Sequence, residues 1–78
     1  MRLIAQIPHP RLQISIFKSD LKFILKFEAG PFEQVYKFME SERYCDADSI
    51  RALLTQDLLK DVFTIFDQMN QNYQNING

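Results

Sequence analysis

The chain has one cysteine, one histidine, two glycines and no tryptophan in 78 residues. A single thiol excludes an internal disulfide. One thiol with one imidazole falls short of the three or four ligands of an ordinary zinc site. Two glycines, Gly30 and Gly78, cannot build a glycine-rich phosphate loop, so nucleotide chemistry loses its usual cradle. Neither sign of charge dominates: nine Lys+Arg oppose ten Asp+Glu for a net charge of -1. The globally basic signature of a DNA-coating protein is therefore missing. Long apolar runs are missing too. Gln6 and Pro8 interrupt the first ten residues, whereas a secretory signal needs ~7–15 continuous apolar residues and a membrane span about 20. A soluble protein of the reducing cytoplasm is expected, with no membrane partner, metal or cofactor.

What is present is apolar and aromatic. Apolar residues make up 46% of the chain, including seven Phe and three Tyr, enough for a core and too much for a chain disordered throughout. A chain this short buries only about 60% of its unfolded surface, which leaves nothing for a second core. One domain over residues 1–73 is expected. From Asn70 onward Asn and Gln dominate, and residues 74–78 read as a disordered tail.

The first half alternates with period 2, the signature of half-buried strands. Leu12, Ile14 and Ile16 share one face of a strand, and Phe23, Leu25 and Phe27 share one face of the next. A two-residue turn at Ser19-Asp20 sets Ile16 opposite Phe23, Ile14 opposite Leu25 and Leu12 opposite Phe27, so both apolar rows lie on one side of the sheet. Gly30-Pro31 marks the next turn and puts Tyr36 opposite Leu25 and Phe38 opposite Phe23. Pro8-His9-Pro10 breaks the chain between a first strand, Arg2 to Ile7, and the second. A four-residue loop there places Leu3, Ala5 and Ile7 on the core face and Ile4 on the other; this is favoured over the three-residue loop because it buries no charge.

From Asp46 the period becomes helical. Asp46 or Asp48 can cap a short helix containing Ile50, Leu53 and Leu54, after which Thr55 either restarts a second helix or lies inside a continuous one. Leu59, Val62, Phe66, Met69 and Tyr73 follow 3-4 spacing and form one apolar stripe. The expected fold is α+β: a four-stranded antiparallel β-meander packed on one face by one or two C-terminal α-helices.

The residues that could do chemistry are few and badly placed. His9 lies between two prolines, and Cys45 precedes Asp46, whose charge works against a thiolate. Asp46-Ala47-Asp48-Ser49 with Asp57 superficially follows a calcium loop, but Ile50 takes a ligand position, Arg51 stands where the sharp turn needs glycine, and Asp57 where glutamate is normal. Helix capping accounts for these acids. No catalytic residues are assigned, and an enzyme is not expected.

Charge layout is more informative. Residues 1–39 hold six Lys+Arg against three acids, net +3, and residues 40–78 hold three against seven, net -4. Strand parity sends Phe17, Lys22, Ile24, Lys26, Val35 and Lys37 to the sheet face opposite the helices. An open antiparallel face normally alternates to polar residues, so Ile4, Phe17, Ile24 and Val35 exceed what solvation needs. These positions mark a candidate binding surface for a protein partner, including a second copy in a homodimer. The alternative is a single-stranded nucleic-acid-binding or regulatory module whose lysines follow the backbone while Phe17 stacks on a base.

Overall fold

The computed structural model describes all 78 residues, Met1 to Gly78. Four antiparallel strands form one sheet in chain order, β1 (Arg2–Ile7), β2 (Gln13–Ser19), β3 (Lys22–Ala29) and β4 (Phe32–Met39). Two helices follow, α1 (Ala47–Arg51) and α2 (Gln56–Asn77), giving an α+β meander with a helical layer.

The β3–β4 hairpin follows directly from its turn. Gly30 has a φ of +59° and Pro31 a proline-fixed φ, the combination that a tight two-residue hairpin favours. No atom lies within 4 Å of where a Cβ on Gly30 would stand, so the backbone angle alone calls for glycine there. Tyr36 pairs with Leu25 and Phe38 with Phe23, the register expected.

The β2–β3 turn lies one residue further along than expected, at Asp20-Leu21. Asp20 takes the positive φ of 47°, a conformation aspartate tolerates because its short polar side chain can bond locally. Ile16 therefore pairs with Leu25 and Ile14 with Phe27, two positions from the expected partners. A slide of two residues conserves parity, so every side chain stays on its assigned face.

β1 departs more sharply. Its pairing jumps between Leu3, opposite Phe17, and Ala5, opposite Ile16. This bulge inserts one extra residue and reverses the two assignments before it. Leu3, expected in the core, lies on the open face at 48% exposure, while Ile4, expected outside, packs against the core.

The core joins Leu12, Ile14, Ile16, Phe23, Leu25 and Phe27 from the sheet side to Ile50 of α1 and Val62 and Phe66 of α2. Gln34 is the polar residue on this face of β4; its Nε2 donates to the Val62 carbonyl at 2.9 Å, tying helix to strand. Asp46 caps α1 by accepting from the Ser49 N–H at 2.8 Å, while Ser49 Oγ reaches back to the cap backbone. Thr55 caps α2 by accepting from the Leu58 N–H at 3.1 Å. The C-terminal region is thus two helices, and Leu53 and Leu54 lie in their link, still packed on the core. Residues 74–77, expected as a disordered tail, continue α2 to Asn77. Packing against the sheet nevertheless thins out past Met69: the Tyr73 ring still meets Phe32 edge-on at 5.5 Å, while Ile76 is 83% exposed.

Candidate binding surface

The pairing registers tile the open face in rows. Leu3, Phe17, Ile24 and Lys37 stand side by side across β1 to β4, and Gln6, Ser15, Lys26 and Val35 form the adjoining row. Gln13, Glu28 and Glu33 close one end of the face, and Ser19, Lys22 and Met39 the other.

All six residues singled out by parity lie on this face, but they are not equally available. Val35 is 46% exposed and Lys37 is exposed, while Phe17, Lys22 and Lys26 are half-buried. Ile24 departs from expectation: at 7% exposure it lies beneath its neighbours and presents almost no contact area. A central position in a twisted sheet is flanked by long side chains on every side, and parity decides the face without deciding the exposure.

Lys26 is held in place. Its Nζ lies 3.1 Å from a Glu33 carboxylate oxygen and 3.7 Å from one of Glu28, and 6.0 Å from the centre of the Phe17 ring. The hydrogen bond to Glu33 raises the Lys26 pKa, with smaller help from Glu28, against an opposing contribution from partial desolvation. Lys22 and Lys37 make no ion pair. Three lysines thus share the face with two glutamates, and the face is less basic than a count of lysines alone implies. Glu28 and Glu33 share parity with Lys26, so counting the acids along with the lysines finds them in the sequence. Leu3 has no such signal, because the bulge that brings it here interrupts the alternation.

The candidates for chemistry remain apart. His9 accepts from the Arg11 N–H through Nδ1 at 3.1 Å and lies 5.7 Å from the Phe63 ring, on the β1–β2 connection. Cys45 is exposed on the connection after β4, at the other end of the sheet, and its N–H donates to Ser49 Oγ at 3.2 Å. An open cleft of about 450 Å³ lined by Arg11, Lys60, Phe63 and Asp67 runs beside α2. Another of about 460 Å³ follows Pro8, His9 and Leu12. No three residues among His, Cys, Asp and Glu converge as a metal site would require, and no helix is long and apolar enough to cross a membrane.

No family model, curated protein or solved structure matches this chain.

Proposed function

We propose that the protein is a non-enzymatic binding domain that seats a protein partner on its open sheet face. The observation carrying this reading is a broken apolar strip available to solvent, Leu3 beside half-buried Phe17 on β1 and β2 and then Val35 on β4 beyond Ile24 and Lys26, bordered by the unpaired ammonium groups of Lys22 and Lys37. Apolar side chains with a cationic border suit an apolar segment that carries acidic residues, since the strip gains from burial while the lysines orient the partner. Ile24 fills the row between Phe17 and Lys37 but adds almost no exposed area. A cytoplasmic setting belongs to the same reading, because Cys45 is free and exposed, as a reducing compartment allows.

The other reading, single-stranded nucleic acid, draws on the lysines beside Phe17. Protein is favoured by Glu28 and Glu33, which oppose a phosphate backbone, and by the presence of only one aromatic ring on the face. The test is affinity capture with the intact chain, comparing Phe17→Glu and Val35→Glu with Asp61→Lys on exposed α2. A protein retained by the wild type and by Asp61→Lys and lost by both face variants supports the reading; retention indifferent to both overturns it. Titration of a labelled oligonucleotide separates the alternative. Three lysine–phosphate contacts weaken about tenfold from about 50 to 200 mM salt, whereas no saturable binding at low salt removes nucleic acid from consideration.

A further inference from the structure

The free edge of β4 carries a self-complementary pattern. From its geometry we infer that two copies of the chain pair antiparallel through β4, about a twofold axis at Val35, into one continuous eight-stranded sheet. The inference goes beyond partner docking on the open face, which needs no self-pairing.

Four observations support it. First, β4 pairs with β3 in unbroken register over its whole length, whereas the opposite edge strand, β1, is bulged at Leu3/Ala5. Bulges, prolines and like charges guard sheet edges; β4 contains neither of the first two, and its two charges, Glu33 and Lys37, are of opposite sign. Second, the backbone groups are aimed correctly. The residues flanking a two-residue hairpin turn exchange hydrogen bonds, and just past the strand Glu40 N–H donates to the Leu21 carbonyl at 2.7 Å. Even-numbered residues of β4 therefore bond to β3. The N–H and C=O groups of Glu33, Val35 and Lys37 point outward, and no turn, loop or side-chain hydrogen bond engages them.

Third, charge selects the register. A twofold at Val35 sets Glu33 opposite Lys37 of the second copy, and by symmetry this pair occurs twice, on either side of a Val35–Val35 contact. Moving the axis to Glu33 or Lys37 sets like charges directly opposite. Moving it to Gln34 or Tyr36 leaves both charges facing Val35, Pro31 or Met39. Only the Val35 register pairs every charge in the segment with its opposite. Fourth, antiparallel pairing about an axis normal to the sheet keeps both helical layers on one side, and sets Phe32 opposite Phe38 and Gln34 opposite Tyr36. All four of these side chains lie on the core face of β4.

Light scattering coupled to size-exclusion chromatography of the intact chain, from about 1 to 100 µM, tests the inference. The wild type is expected to shift from monomer to dimer over this range. Val35→Pro removes an outward N–H without touching the β3–β4 ladder, so the variant should keep its circular dichroism spectrum and remain monomeric. Glu33→Lys and Lys37→Glu should each raise the dissociation constant about tenfold, and the double variant E33K/K37E should restore it to within about threefold of wild type. That rescue is specific to the Val35 register. Failure of the double variant to recover overturns the register. A dimer that survives Val35→Pro overturns edge pairing, and if Phe17→Glu then abolishes it, association runs through the open face instead. A monomer at every concentration overturns self-pairing and leaves the docking of a foreign protein standing.

Discussion

At the scale of single residues, stability rests on a few side chains with no substitutes. Phe66 is buried at 6% exposure and brings α2 onto the sheet together with Val62. Phe66→Ala should cost about 3–5 kcal/mol, a large part of a small domain's total, and thermal unfolding checks it; an unchanged midpoint means that α2 does not hold the core closed. Lys26 behaves differently, through its charge. Its hydrogen bond to Glu33 raises the pKa above the ordinary value of 10.5, so the folded chain holds this proton more tightly than the unfolded one. The resulting stabilisation is complete below the unfolded value and lost as pH rises through the folded value. Thermal midpoints measured through that alkaline window should fall more steeply for wild type than for Lys26→Met. Equal slopes would show that the Glu33 contact is not maintained in solution.

At the scale of elements, turns decide how far the alternation of side chains can be trusted. Gly30-Pro31 fixes the β3–β4 register because only a residue at ease with a positive φ can open that turn. Ser19-Asp20-Leu21 offers no glycine, and the positive φ falls on Asp20; the pairing slides by two while the faces survive. The candidate surface was therefore legible as a set of residues but not as a set of exposures. Leu3 and Ile4 exchange faces at a bulge that leaves no mark in the alternation, and Ile24 is covered by neighbours that only packing reveals. The end of α2 shows the same limit in reverse. Asn is a weak helix former, yet the helix continues through the Asn residues, carried by the better-forming Gln and by side-chain bonds from Gln68 to Asn72 and Gln71 to Asn75 at 3.2 and 3.5 Å. These exposed bonds contribute little, and the edge-on contact of Tyr73 with Phe32 lies before residues 74–78, of which Ile76 is 83% exposed. Deleting Gln74 to Gly78 should leave the thermal midpoint within about 2 °C of wild type, with a loss of helical circular dichroism confined to about one turn. A large drop in the midpoint would show that the last turn docks.

At the scale of the whole molecule, a thin two-layer body must stay folded on a small core. Its extents are 45 × 25 × 18 Å, and 12 of its 78 residues are buried, so most side chains contribute only partial burial. Small domains sit near the lower bound of independent stability, and association is one of the few ways to add burial without adding chain. The net charge of -1 presents no large repulsion between copies, and the unbroken β4 edge presents unpaired backbone groups. If the folded unit in solution is the β4-paired dimer, unfolding releases two chains and the midpoint must depend on concentration. A hundredfold increase in protein should then raise it on the order of 10 °C for a chain of this size. Differential scanning calorimetry across that range measures the shift directly. Phe17→Glu should retain the concentration dependence and Val35→Pro should abolish it, because the first leaves the edge intact and the second removes the donor at its centre. A midpoint independent of concentration in the wild type would mean that the monomer is the cooperative unit, stable on its own core, with the open face left for a partner of different sequence.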